Sequence, residues 1–291
     1  MELTPRVHDF TPVFLEFWAN NRSRGLDDQI SHFKAEVGAA FPAFYDFKIE
    51  KWRRQGKDPG QEIGKELGAF PSIESRFATK ARVISSEIAS ALKSFRSTFD
   101  DFRTDFDIYV VHSLGEMDGG ARRINGELVF IFGVDGIVKY HHGQSDVPFY
   151  HHELFHFYHS QHAFSGGSLW RALWGEGLAT LVSDELNPGA TPQDMMLDMP
   201  VGLVAACEGR LPELWSEMRR DLLSESEDVY EKWFLLSSTD RVVPRRAGYY
   251  LGYLIAKELR ADRSLKELAR LQGPELLSLI ESATDRLRTK P

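Results

Sequence analysis

Two histidines four residues apart, with a glutamate directly after the first, constrain this chain more than any other feature: His152-Glu153-Leu154-Phe155-His156. On a helix, positions four apart are turned by roughly 40° and separated by about 6 Å along the axis. Both imidazoles therefore leave one face, close enough to share a single metal ion, and a helix is expected from about Phe149 to His162. Glu153 occupies the neighbouring stripe, from which its carboxylate can reach a water held by that metal. Two neutral imidazoles leave zinc strongly Lewis-acidic, and an adjacent carboxylate can take a proton from the bound water. The pattern thus calls for Zn2+ as cofactor, with Glu153 as general base and one more protein ligand still to be found.

Glu176, in Leu173-Trp174-Gly175-Glu176-Gly177-Leu178-Ala179, is the best candidate for that ligand. It follows a break at Gly166-Gly167, which lets a second helix, expected from about Leu169 to Leu186, fold back on the first. Two His and one Glu with a fourth position open to water make a catalytic zinc site, not a closed structural one. His162 is a rival, because it follows His156 by the spacing of the HExxHxxGxxH pattern. That pattern places glycine third after the second histidine, so that the chain can turn back; here the position holds His159, which lacks the same freedom at positive φ. His162 is accordingly expected on the continuing helix, too far along to join the same sphere. His159 reads as a cleft-lining imidazole and His151 as a packing or hydrogen-bonding residue. His141 and His142 read as solvated, and His8, His32 and His112 as surface or core histidines. Asp184 and Thr180 are candidates to support a ligating imidazole, with an ordinary helix surface as their default.

The pairing of this HExxH with a later Glu-Gly-Leu-Ala resembles the gluzincin metallopeptidases. A third segment, Arg245-Arg246-Ala247-Gly248-Tyr249-Tyr250-Leu251-Gly252-Tyr253, is dense in Gly and Tyr for the start of a helix. Gly248 and Gly252 leave room for close approach of another backbone, and Tyr249 and Tyr253 share a face while Tyr250 points elsewhere. From spacing alone, a phenol aimed at the metal as oxyanion donor and a tightly packed helix with locally bonded tyrosines are equally acceptable. Arg245 and Arg246 can bind a substrate carboxylate or serve as surface cations. The order His-Glu-Leu-Phe-His, Glu-Gly-Leu-Ala, Gly-Tyr-x-x-Gly-Tyr is similar to a bacterial family of predicted zinc-dependent proteases with a gluzincin-type site. The stretch from about Tyr109 to Gly133-Val134-Asp135 shares the likeness, which covers roughly residues 100 to 260. The resemblance implies His152, His156 and Glu176 as ligands, Glu153 as general base and Tyr249 as oxyanion donor, with Tyr253 behind it.

Composition narrows the rest. A chain of 291 residues with 42% hydrophobic content can bury a sizeable core, as one large domain or two packed lobes. A formal charge of −8 speaks against a nucleic-acid partner. The single cysteine, Cys207, fits a reducing compartment and a core position. Without a signal-like N-terminus or a bilayer-length apolar run, a soluble cytoplasmic protein is expected, with no membrane partner.

Apolar spacing predicts helices over Leu26–Phe41, ended by Pro42, and over Ile73–Phe99. The aromatics Phe14, Phe17, Trp18, Phe44, Tyr45, Phe47 and Trp52 read as core, and Lys51, Arg53, Arg54 and Lys57 as a solvated face. Phe106–His112 and Glu127–Phe132 read as strands, the second preceded by the Asn125-Gly126 turn signal. The expected fold is α+β and mostly helical: a zincin-like domain over residues 1–291, with a helical region to 100, a small twisted sheet packed on the metal helix over 101–165, and a helical lobe over 166–291. A peptide substrate would add a strand to an exposed sheet edge between Val110 and Gly120 or near Val129. The expected activity is zinc-dependent peptide-bond hydrolysis; the alternative is a zinc-binding peptide-recognition or regulatory protein with little or no hydrolysis.

Overall fold

The structure, a computed structural model, describes residues 5–162 and 167–289. It is 64% helix with one small mixed sheet, which makes the fold α+β and mostly helical. The chain divides into two compact units, Met1–Ser90 with Arg103–His141 and Ala91–Phe102 with His142–Pro291. In chain order the first holds β1 (Arg6–Asp9), α1 (Thr11–Asn21), α2 (Leu26–Phe33, continued by a π-helical turn over Lys34–Gly38), α3 (Pro42–Arg54) and α4 (Pro59–Ala69). Then come α5 (Glu74–Thr98), β2 (Asp107–Val111), β3 (Gly119–Ile124), β4 (Glu127–Gly133) and α6 (Val134–Tyr140). The last residues of α5 belong to the second unit.

The sheet order is β1-β2-β4-β3, with β1 and β4 parallel to β2 and β3 antiparallel to β4. β2 and β4 are the interior strands, and their near-continuous apolar sequences reflect burial on both faces. Asn125 and Gly126 both take positive φ, 52° and 85°, and close the β3–β4 hairpin as a two-residue turn. β1 and β3 carry little strand signal of their own: β1 is four residues long, and Gly-Gly-Ala-Arg-Arg-Ile reads as loop until β4 pairs with it. Because β4 is hydrogen-bonded on both sides, Val129 offers no free edge, contrary to expectation; within 110–120 only the start of β3 is on an outer strand.

Aromatic packing fills this unit. Phe14 stacks on the buried His112 at 4.1 Å between ring centroids and meets Phe70 and Phe77 edge-on or tilted. Tyr45 donates its hydroxyl to the His112 carbonyl. Two sequence readings are corrected here. Phe47 is 55% exposed and lies outside the core. His141 is not solvated: its side chain is 6% exposed and faces the Asp118 carboxylate at 3.3 Å.

The second unit contains α7 (Val147–Ser160), α8 (Leu169–Leu186), α9 (Leu203–Glu208), α10 (Leu211–Asp221), α11 (Glu227–Phe234), α12 (Ala247–Arg260), α13 (Leu265–Arg270) and α14 (Gly273–Thr289). α7 begins with Pro148 in its first turn, where the missing N–H costs nothing. Its apolar face packs with Phe95, Phe99 and Phe102, and the Tyr158 hydroxyl donates to Asp101 at 3.1 Å. Gly166 lies outside the described residues; Gly167 has φ +95° and leads into α8. The first amides of α8 are satisfied by the chain after α10, Leu169 by the Ser224 carbonyl and Trp170 by that of Leu222.

α8 and α12 cross at glycines. A Cβ on Gly177 would run into the backbone of Gly252, and one on Gly252 into the Leu173 carbonyl. Gly252 thus provides the close backbone approach expected of it, whereas Gly248 accommodates a side chain, the Phe234 ring. Among the described residues no helix is long and apolar enough to cross a membrane. Gly177→Ala and Gly252→Ala should each lower unfolding free energy by about 2–3 kcal/mol in chemical denaturation, the cost of overpacking a tight contact. Gly175→Ala, where a Cβ meets nothing within 4 Å, should instead stabilise by about 0.5–1 kcal/mol.

Candidate metal centre

The 14-residue helix α7 carries His152 and His156 on one face, and their Nε2 atoms lie 3.0 Å apart. α8 packs alongside and brings Glu176 Oε2 to 3.2 Å from each. Ligands held tetrahedrally at zinc-like distances of about 2.0–2.1 Å stand about 3.3 Å from one another. The three donor atoms therefore already form one face of such a tetrahedron, and two imidazoles with one carboxylate are a donor set zinc accepts. Among the described residues this is the one cluster of three or more His, Cys, Asp or Glu side chains close enough to hold a metal ion. The His152 side chain is 10% exposed, Glu176 21% and His156 30%, so solvent reaches the triad from the His156 side.

Charges in the triad are strongly coupled. Burial pushes the Glu176 carboxyl up, but the His156 charge and hydrogen bonds from both imidazoles overcome this and hold it far below the usual carboxylate range. Burial likewise opposes a proton on His156, yet the charge and hydrogen bond of Glu176, helped by Glu153, raise it to about 9. His152 is lowered, by burial first and then by the charges of His156 and Arg246, against the pull of Glu176. At neutral pH the triad therefore holds one proton in the place where a divalent cation would take over its role.

Glu153 sits half-buried on the stripe beside the two histidines, and its charge acts on both His156 and Tyr249. The Tyr249 ring is 6.5 Å from that of His152 and meets Phe234 edge-on at 5.4 Å. Burial foremost, then the Glu176 charge, keeps this phenol protonated, raised well above the ordinary tyrosine value. The other two tyrosines are engaged elsewhere: Tyr250 donates to Glu208, while Tyr253 donates to Asp184 at 2.7 Å and accepts from Lys257. Asp184 thus anchors a tyrosine, not a ligating imidazole, and Thr180 donates to the backbone carbonyl of Glu176, bracing the ligand's own turn.

The remaining histidines stay out of the cluster. His151 is buried, accepts from Asn187 at Nδ1 and faces Ser94 and the Ala91 carbonyl through Nε2; burial depresses it to about 4. His159 stacks on Phe155 and is also depressed to about 4, by burial and then by the charges of His156 and His162. His162 does not continue the helix: α7 ends at Ser160, and the imidazole packs beside Tyr158, 3.9 Å from Asp101. Cys207 is buried in α9, its thiol pushed up to about 12 by desolvation.

Arg246, weighed from the sequence both as a binder of a substrate carboxylate and as a surface cation, is half-buried, with its guanidinium carbon 4.2 Å from the centre of the Tyr249 ring. Arg245, by contrast, is exposed and donates to the Ser238 carbonyl. Tyr230, stacked on Phe234 at 5.2 Å, is raised by burial and by the charge of Glu176. The spacing of Tyr230 and Phe234, four apart on α11, was the one signal that could have drawn attention to them. In comparisons with known families, curated proteins and solved structures the chain finds no match, so what the site can do is argued from its own geometry.

Elemental analysis of the purified protein should give close to one zinc per chain, lost in Glu176→Ala and retained in His162→Ala. Because the His156 proton must leave, apparent zinc affinity should climb about tenfold per pH unit from pH 7 and level off above about 9. Competition titrations with a chelator of known affinity would check that slope.

Proposed function

We propose that this protein is a zinc-dependent hydrolase of peptide bonds with a zincin-like site, His152, His156 and Glu176 holding the metal. What supports the reading most is the spacing of the three donor atoms, 3.0–3.2 Å, with Glu153 and Tyr249 flanking the same pair of histidines. A structural zinc would be closed by a fourth protein ligand, and among the described residues the cluster of candidate ligands stops at three.

A bound zinc ion supplies Lewis acidity, polarising a carbonyl and acidifying water. Glu153 accepts the proton of the attacking water and later returns it to the leaving amine, which a side chain next to both imidazoles is able to do. Tyr249 enters as a neutral phenol, because burial and the nearby Glu176 carboxylate both disfavour a phenolate. Its O–H can therefore donate to the oxyanion that develops on the scissile carbonyl, a contact worth more in the transition state than in the ground state. Thr180 braces the turn that carries Glu176, and the Gly177–Gly252 crossing holds α8 against α12, which carries Tyr249.

Glu153→Gln should retain zinc and the wild-type melting temperature while losing about 10²–10⁴-fold in kcat on a cleaved peptide. Tyr249→Phe should lower kcat about 10²–10³-fold with little change in KM. Both are read by steady-state kinetics on a substrate found in a peptide library. Zinc-loaded wild type that binds library peptides but cuts none would instead make it a peptide-recognition protein.

A further inference from the structure

We propose that the Arg246 guanidinium receives a carboxylate of the substrate, so that the site acts on peptides presenting a free carboxylate near the bond to be cut. The inference rests on the hydrolase reading and names the substrate class for that same site.

Arg246 is the residue at which α12 begins, and its φ of +65° is a conformation that residues with a Cβ seldom adopt. Its guanidinium carbon lies over the Tyr249 ring, 4.2 Å from the ring centre. The phenol ring in turn lies 6.5 Å from the ring of His152. Among the described residues Arg246 makes no ion pair and no hydrogen bond, and its Nε is buried without a partner. Two other half-buried cations of the same unit do have acidic partners: Lys232 reaches Glu217 and Asp221, and Arg260 reaches Glu185.

A guanidinium without an acidic partner is costly to take even partly out of water. Its charge is felt at His152, Tyr230 and Tyr249 alike, which puts it within electrostatic reach of the site. An anion placed against Arg246 removes that cost and supplies the missing partner. The planar fork of arginine is suited to a carboxylate, which it can grip with two parallel hydrogen bonds. A peptide brings a carboxylate either at its C-terminus or on an Asp or Glu side chain. The steps from His152 to Tyr249 and on to Arg246 are together no longer than about three extended residues of about 3.5 Å each. The chemistry common to both sources is a carboxylate within about three residues of the scissile bond.

The test uses full-length zinc-loaded Glu153→Gln protein and calorimetric binding of four N-acylated peptides. One ends in a free carboxylate and one in the matching carboxamide; two further carboxamides carry Asp or Asn at the last position. At least one carboxylate peptide should bind about tenfold or more tightly than its neutral counterpart, and which pair shows the difference identifies the source. Adding Arg246→Gln should erase the preference with zinc content and melting temperature kept, and Arg246→Lys should restore part of it. Equal binding of acid and neutral peptides would overturn the proposal, as would a preference that survives Arg246→Gln. Wild-type turnover is measured on the same peptides: acid-selective binding without cleavage sinks the hydrolase reading alone, and cleavage indifferent to the carboxylate sinks this proposal alone.

Discussion

The contact on which the candidate centre depends is made by two residues with no side chain. Where α8 crosses α12, Gly177 and Gly252 bring the two backbones together more closely than any Cβ would permit. Gly177 directly follows Glu176, and Gly252 lies one turn beyond Tyr249. The crossing therefore fixes the separation between a candidate ligand carboxylate and a phenol that come from segments more than seventy residues apart in sequence. Helix packing normally leaves 8–10 Å between axes, set by the side chains at the contact. Removing those side chains shortens the distance and, by the same token, leaves few alternative arrangements.

A second constraint is electrostatic. Three groups that prefer water, two imidazoles and a carboxylate, are gathered where α7 and α8 pack together. Without compensation such a cluster is costly to bury. The compensation visible among the side chains is internal, a proton shared in effect between His156 and Glu176. On the proposed reading a dication substitutes for that proton and binds the same three atoms more completely. His151 and His159 show how the helix keeps its other imidazoles from competing: both are held neutral by burial, and one is further tied down by Asn187 and Ser94.

Much of this was legible in the sequence, and the residues say why. The long helix near 73–99 declares itself by its apolar spacing, the two-histidine helix by its motif, and the helix from Leu169 to Leu186 by the glycine break before it. Local rules suffice for them. β1 and β3 were not legible because each exists only through pairing with a distant or apolar neighbour, and neither has the alternating pattern of a self-declared strand. The cluster of His152, His156 and Glu176 could be read because spacing on helices carries over into space. The choice among three tyrosines could not, since it depends on which partners, Glu208 and Asp184, the other two find. The choice between Arg245 and Arg246 was open for a similar reason: two basic residues at a helix start look alike until the backbone leaves one exposed and the other, at a positive φ, half-buried. His141 and Phe47 were misread in opposite directions, each by a neighbour or a gap supplied by tertiary structure.

The origin of each group has a consequence for how such a protein can change. The three candidate ligands and Glu153 all lie on α7 and α8, a single helical hairpin within residues 147–186. Tyr249 and Arg246 lie on α12, with Tyr230 and Phe234 on α11 behind them. On the proposed reading, capture of the ion is thus encoded in one stretch of chain, and what meets the ion in another. Substitutions along α11 and the start of α12 would then retune the clientele of the centre while its inorganic part is inherited intact. The limit on that freedom is the glycine crossing, the one point at which the two stretches must agree.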